Sequence, residues 1–214
     1  MLTFKTDILG FENISKEELI DNVKICNTDE DDFFDITYIL WKSMGLPSRN
    51  VAEFQLRSSR ININNSIKLI DSRDKVIYGL LVLCDFPIQV GTPIQSQDSL
   101  AAYALNDIKQ INGFLFVIDQ RLRGCGFDKK MIEFAMNFIK NYDICWIAVD
   151  NDLKSHNYWK RFGFTEILNI DEAKFYVKFL NNDCFIDIYK RIKAYFYEYK
   201  RNYSRRNWEF VKRK

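Results

Sequence analysis

Histidine is nearly missing from this chain of 214 residues. His156 is the only one, which excludes a histidine-built metal centre before any motif is considered. Cysteine is sparse and poorly spaced for a framework. The five cysteines, at positions 26, 84, 125, 145 and 184, are odd in number and form no CxxC pair, so neither a disulfide scaffold nor a zinc site is indicated. No apolar run approaches the roughly 20 residues that a membrane helix needs. The opening Met1-Leu-Thr-Phe-Lys-Thr-Asp7 also lacks the basic start and apolar centre of a signal peptide. These absences lead to the expectation of a cytoplasmic protein with no membrane contact and no metal. Proline (three residues) and glycine (eight) are scarce too, so the places where they fall carry information. What is abundant is apolar and aromatic. At 47% and 15% of the residues, these suffice for one domain with a sizeable core.

The net charge of +2 conceals an uneven distribution. From Tyr189 to Lys214 ten Lys or Arg stand against two Glu, a local charge of +8 that leaves −6 for the rest of the chain. Aromatic residues, among them Tyr195, Tyr199, Tyr203 and Trp208, are interleaved with these cations. Two readings of this tail stay open. It can contact nucleic acid or a protein partner through stacking and charge, or it can be a closing helix whose Ile188, Ile192, Tyr195 and Tyr199 stripe packs on the domain.

Periodicity divides the chain into a mixed α/β (α+β) order. Residues 2–19 carry no assignable pattern, and Val23 to Cys26 suits a short strand. The acidic Asp29-Glu-Asp-Asp32 leads into a helix over Phe33 to Met44, with Phe33, Phe34, Thr37, Leu40, Trp41 and Met44 on one face. Gly45-Leu-Pro47 ends it, and a second helix covers Asn50 to Arg60. Ile67 to Ile70 and Val76 to Leu83 read as a hairpin around Asp71 to Lys75. The interval 85–110 holds Pro87 and Pro93 and a helix over Ser96 to Lys109; its length marks it as an insertion, such as a lid. Further on, a strand over Ile144 to Val149 precedes a helix from Leu153 to Phe162 stopped by Gly163. A strand pair over Phe164 to Leu168 and Lys174 to Leu180 closes the domain. The expected organisation is a domain over 1–184, with its core at 23–180, and a basic aromatic helical extension over 185–214.

The most informative stretch is Val117-Ile-Asp-Gln-Arg-Leu-Arg-Gly-Cys-Gly-Phe-Asp-Lys-Lys-Met131. Before it, Gly113-Phe-Leu-Phe-Val-Ile118 is an unbroken apolar run, as in a strand covered on both faces. After it, Met131, Ile132, Ala135, Phe138 and Ile139 recur with helical period. Two strands joined by such a helix imply a right-handed crossover and a parallel pair. Between strand and helix, Gly124 and Gly126 permit positive φ or close approach, so amides at a helix N-terminus can converge on an anion. Arg121 and Arg123 add charge there. A tight surface turn is the plainer alternative.

Two segments together resemble the GNAT superfamily of N-acetyltransferases. The family's loop V-D-P-x-x-R-G-x-G-x-G/A matches at Asp119, Arg123, Gly124 and Gly126. About 25 residues later the family's N-x-x-A/S-x-x-x-Y-x-x-x-G-F appears as Asp152-Leu-Lys-Ser155-His-Asn-Tyr-Trp159-Lys-Arg-Phe-Gly163-Phe164. The resemblance implies a mostly antiparallel central sheet containing one splayed parallel strand pair, flanked by helices. It implies acetyl-CoA as cosubstrate and an amine of unspecified identity as acceptor. The pyrophosphate is expected on Arg123, Gly124, Cys125, Gly126, Phe127 and Asp128. The pantetheine is expected between the strands of Val117 and Ala148, beside Asp152, Ser155 and Trp159, and the backbone of Phe116, Val117 and Ile118 serves the carbonyl oxygen.

Two positions depart from the family pattern. Asp128 stands where the loop has Gly or Ala, and it is either a helix-start residue or a repulsive neighbour worth roughly 1 kcal/mol at 4 to 5 Å. Trp159 replaces the tyrosine that often protonates the leaving thiolate. His156 and Tyr158 are the remaining candidates for acid–base work, although Tyr158 is about 100° away from Trp159 on a helix, and His156 can equally be a surface residue. Cys125 and Cys145 have no identifiable partner base, so packing is the simpler reading of both. The Asp29 to Asp32 cluster either favours a cationic acceptor or is a solvated helix start.

Overall fold

The computed structural model describes residues 14–58, 66–73, 75–84, 107–150, 153–170, 173–181, 185–194 and 197. Most of the expected 85–110 insertion, including its helix up to 106, therefore lies outside the described residues. So does the tail from 198 onward. Residues 107–109, expected to end that helix, form a turn leading into a strand.

The elements follow the expected order. A helix absent from the sequence expectation, α1 (Lys16–Asn22), comes first, capped by the Ser15 side chain accepting from Glu18 N at 3.1 Å. Then come β1 (Val23–Asn27), α2 (Phe33–Met44), α3 (Arg49–Ser58), β2 (Ile67–Asp71) and β3 (Ile77–Cys84). They are followed by β4 (Gln110–Ile118), α4 (Phe127–Phe138), β5 (Ile144–Asp150), α5 (Leu153–Lys160), β6 (Thr165–Ile170) and β7 (Ala173–Phe179). The last helix, α6, covers 185–194. The seven described strands form one sheet in the order β1-β2-β3-β4-β5-β7-β6. Every neighbouring pair is antiparallel except β4 with β5, as the crossover through α4 requires.

Both faces of the sheet are buried. On one, Leu69, Leu81, Phe116, Ile118, Ile147 and Tyr176 pack under Met131, Ile132 and Ala135 of α4 and Trp159 of α5. On the other, Leu80, Val82, Leu115 and Val117 meet Ile36, Leu40, Ala52 and Leu56 of α2 and α3. Farther along the sheet, Trp146, Phe175 and Val177 meet Ile188 and Ile192 of α6. The described part of the tail thus begins as a packed helix, further tied by Arg191 Nη1 donating to Asp107 at 3.0 Å. The stripe partners Tyr195 and Tyr199 are outside the described residues.

The buried face of α2 differs from the expectation. Ile36, Thr37, Ile39, Leu40 and Ser43 are buried, whereas Phe34 is 65% exposed. The sheet and α3 select the aliphatic stripe at 36, 39 and 40, and Thr37 enters it by donating its hydroxyl to Phe33 O at 2.7 Å. Phe33 and Trp41, expected on the inner face, pack half-buried against that core, whereas Phe34 on the outer side takes up a cation, with Arg49 stacked over its ring.

The acidic cluster before α2 is an internal joint. Asp29 accepts from Asp31 N and Asp32 accepts from Asp29 N, closing a capping box. Lys68 Nζ from β2 reaches Asp32 at 2.6 and 2.8 Å and Asp29 at 3.2 Å. Lys68 and Asp32 are both buried, so one of the cluster's four charges is offset internally by Lys68, while Asp29, Glu30 and Asp31 are exposed. Burial opposes the Lys68 charge, but the hydrogen bonds it donates to Asp32 and Asp29 outweigh that and leave the Lys68 pKa raised. The Lys68 hydrogen bond holds the Asp29 carboxyl below its ordinary range.

Breaking a buried pair strands the remaining charge. Lys68→Met is therefore expected to lose about 3 kcal/mol, read from urea denaturation, and Lys68→Met with Asp32→Leu to recover most of it. The contribution of Asp29 is complete above the ordinary carboxylate range and fades as pH falls through its depressed value. That of Lys68 is complete below the ordinary lysine range and fades as pH rises through its raised value. Urea midpoints against pH should show wild type losing stability faster than the double variant at both ends.

Candidate active site

The site begins where β4 leaves β5. The parallel register pairs Gln110 with Ile144, Ile111 with Cys145, Asn112 with Trp146 and Gly113 with Ile147, and then ends. β4 continues to Ile118 against β3, and β5 continues to Asp150 against β7. At the parting point β4 carries an extra residue: Val82 faces Leu115 and Leu83 faces Gly113, which bulges Phe114. A bulge bends its strand and shifts the side-chain alternation by one. Ile111 and Phe116 consequently share one face although five residues apart. Phe116 and Ile118 point to the α4 side and Val117 to the α2 side, all three buried. What β4 presents toward the gap is its backbone.

The turn after β4 is locked by Asp119. Its carboxylate is 3% exposed and accepts from Arg121 N at 2.9 Å, Nε at 3.0 Å and Nη2 at 2.9 Å. The Arg121 guanidinium also lies over the Tyr78 ring. The charge of Arg121, expected to serve a phosphate, is thus taken by Asp119, and this side chain is a structural brace. Leu122, 1% exposed, pins the turn to the core. Arg123 follows in extended conformation with Nε donating to Ile118 O at 3.3 Å. Burial pulls its pKa down and Asp119 partly restores it.

Gly124 and Gly126 both have positive φ, 75° and 81°. A Cβ at either meets nothing within 4 Å; the requirement for glycine is therefore conformational, and the space above the turn is open. Cys125 between them is partly buried, its Sγ 3.8 Å from Arg123 O and 3.9 Å from Arg121 O. Gly126 is the N-cap of α4 and brings no side chain to bind the first-turn amides, which have no acceptors within the helix. Phe127, 7% exposed, anchors that first turn to the core. A diphosphate fits this arrangement of free donors, positive helix end and open space. Asp128, also in the first turn, is the one group of opposite tendency. The nearby lysines do not address it: Lys129 pairs with Glu133, and Lys130 lies over the Phe127 ring.

Of the second motif, Asp152 lies outside the described residues. Ser155 and His156 lie on α5, with side chains outside those described. Trp159 is 3% exposed and packs against Phe116, Phe164 and Tyr158, with ring centroids 6.0, 5.5 and 5.2 Å away. Its ring fills the core between α5 and β4, so its contribution to the gap is to hold Phe116 and the β4 backbone in place. Tyr158 reaches the first turn of α4. Its ring packs against Phe162, and its hydroxyl is buried. Burial raises the phenol pKa, and the Asp128 charge raises it further. Sequence spacing gave no sign that Asp128 and Tyr158, 30 positions apart, would meet.

Cys145 is buried in the core and its pKa is pushed up to about 12 by burial, so the thiol stays protonated and is no nucleophile. Among the described residues no three His, Cys, Asp or Glu gather as metal ligands, and no helix is long and apolar enough to cross a membrane.

Gly126→Ala forces a Cβ into left-handed backbone without a clash, so it should cost about 1 kcal/mol of stability through strain. The shift in urea midpoint, with an unchanged denaturant slope, checks this.

No protein-family model and no curated protein matches the sequence. Solved structures do. A chain of the NatC complex bound to Gag peptide and CoA superposes with a TM-score of 0.55 at 15% identity, over 75% of this chain and 99% of that one. Arylalkylamine N-acetyltransferase 2 from Aedes aegypti gives 0.52 at 16% identity, over 75% and 100%. Ard1 from Thermoplasma volcanium gives 0.52 at 12%, over 75% and 99%. With the splayed parallel pair, the glycine turn and these superpositions together, the fold of this chain is that of the GNAT superfamily of N-acetyltransferases.

Proposed function

We propose that the protein is an acetyl-CoA-dependent N-acetyltransferase that acts on a primary amine. The observation that carries this reading is the coincidence of two features at one end of the sheet. The β4–β5 ladder opens beyond Gly113 and Ile147, and the turn leaving β4 ends in an uncapped helix N-terminus under open space. A protein of the same fold was crystallised with CoA.

In this reading the pyrophosphate rests on the turn from Arg123 to Asp128, on amides other than those of Arg123 and Cys125, which donate to Gln120 O and Leu122 O. The thioester lies along the β4 edge, where backbone N–H groups of Phe116 to Ile118 stabilise the carbonyl oxygen as it gains charge. The neutral amine attacks the thioester carbon directly; a C–N bond forms, the C–S bond breaks, and the electron pair leaves with sulfur. The amine, with a pKa near 10, must first lose a proton, and the departing thiolate takes one. His156, or water, fills these proton-transfer roles. Trp159 carries no acidic proton suited to the task and acts as a positioning residue.

Calorimetric titration with acetyl-CoA is the direct test. Binding at micromolar to submillimolar concentration is expected, with release of free thiol once a suitable amine is present. No heat and no thermal shift at millimolar acetyl-CoA would overturn the reading. Replacing His156 with Ala should lower the transfer rate and change its pH profile; an unchanged profile assigns the proton transfers to water.

A further inference from the structure

α6 is packed on one side only. Ile188 and Ile192 are buried against Trp146, Phe175 and Val177 of the sheet, and they fix the helix in place. Phe185, Tyr189, Lys193 and Tyr197 follow a second spacing of four. Each step of four residues turns about 40° past a full helical repeat, so this stripe starts beside the buried one and ends nearly opposite it. The exposures agree: Phe185 is 43% exposed, Tyr189 is half-buried and Tyr197 is 73% exposed. The rings of Phe185 and Tyr189 stack with an interplanar angle of 16°, and Phe179 of β7 meets Phe185 edge-on. Lys193 Nζ lies 4.7 Å over the Tyr189 ring.

A solvated helix face uses lysines but has no use for exposed rings. Phe185, Ile186 and Tyr197 are three of the eight large apolar side chains that stand exposed among the described residues, and all three lie on this helix. Lys190 and Lys193 are exposed beside them and form no ion pair among the described residues, whereas Arg191 is held by Asp107 and Asp187. The cationic surface continues into a groove of about 460 Å³ at the start of β4 and β5, where Lys109, Lys140, Asn141, Leu180 and Asn181 form walls. Two links set this groove beside α6. Phe179, which carries the rings of Phe185 and Tyr189, immediately precedes Leu180, and Asp107, which holds Arg191, stands two positions before Lys109. Lys109 and Lys140 are exposed and form no ion pair among the described residues. Asp143, the acidic residue of the lining, has both oxygens engaged, by Lys109 N at 2.9 Å and Asn181 Nδ2 at 3.4 Å. The nine residues of β4 separate this groove from the glycine turn, a distance of roughly 25 to 30 Å.

We propose that the exposed face of α6 and the adjoining groove form a binding site for single-stranded nucleic acid: Lys109, Lys140, Lys190 and Lys193 take the phosphates, and bases stack on Phe185 and Tyr197. Aromatic rings interleaved with cations suit unstacked bases. The sequence from Tyr189 onward, with ten Lys or Arg against two Glu, adds charge of the same sign. An anionic bilayer is a poorer match, because an interfacial helix must offer a broad apolar face, and α6 has committed two of its three isoleucines to the core. A flat bilayer also leaves the groove lysines unused. The site is remote from the glycine turn, and the inference stands apart from the transferase reading.

The test is fluorescence anisotropy of a labelled single strand of about 12 nucleotides, as RNA and as DNA, titrated with the full chain. Micromolar binding is expected, with log affinity falling against log salt at a slope of about −3, the value for four phosphates on a single strand. Lys190→Gln with Lys193→Gln should weaken binding about tenfold and flatten the slope by about half; Lys109→Gln with Lys140→Gln should do the same. Tyr197→Ala should weaken binding about tenfold with the slope unchanged, since it removes stacking and no phosphate contact. Every substituted side chain is exposed, so thermal midpoints should stay at the wild-type value. A duplex of the same length should bind less tightly, and millimolar acetyl-CoA should leave the single-strand affinity unaltered. No anisotropy change at about 100 μM protein, the weak end of non-specific binding, overturns the inference. So does wild-type affinity in either lysine pair variant or in Tyr197→Ala, or equal affinity for the duplex. Displacement by acetyl-CoA overturns it too, by putting the strand on the glycine turn. Binding to phosphatidylserine vesicles without binding to the oligonucleotides would replace it with a membrane surface.

Discussion

The structure depends on one interruption in hydrogen bonding, the end of the β4–β5 ladder at Gly113 and Ile147. Parallel strands normally run on together, and their backbone groups are costly to leave unpaired in a core. Here the extra residue at Phe114 bends β4 while it remains paired with β3. The strand therefore keeps one partner and gives up the other. Everything attributed to the site uses the resulting gap: the β4 edge faces it, α4 starts at its mouth, and Trp159 supports its wall through Phe116.

The turn that follows is stiff in its first half and open in its second. Asp119, Arg121 and Leu122 hold three residues against the sheet through a buried carboxylate, a bidentate guanidinium and an apolar anchor. Gly124 and Gly126 then carry the backbone through left-handed conformations that leave no Cβ over the helix end. Rigidity upstream fixes where the first amides of α4 point, and the absence of side chains downstream leaves those amides available. The family-like motif thus divides into residues that hold and residues that yield space, and Arg121 belongs to the first group.

Much of this was legible in the chain. The uninterrupted apolar run of Gly113 to Ile118 announced a strand buried on both faces, and the structure divides those side chains between two cores. The parallel pair followed from two apolar strands and the helix between them. Other features were not legible, because they depend on partners distant in sequence. Lys68 converts Asp32 from a solvated helix start into half of a buried pair across 36 positions. Packing against α3 and the sheet chose Ile36, Ile39 and Leu40 over Phe34, although an isolated helix offers both stripes. The short α1, with a single fully buried side chain, Leu19, has too little periodicity to be read.

Sequence alone determined the order of elements, the glycine turn and the two positions that depart from the motif, because periodicity, left-handed backbone and motif spacing are local properties. Only the tertiary structure decided what those departures do. It placed Trp159 in the core and put the Tyr158 phenol within reach of the Asp128 charge, which with burial raises its pKa. The reason is physical: burial and charge proximity are set by how α4 and α5 pack on the same sheet face, and no local pattern encodes that distance.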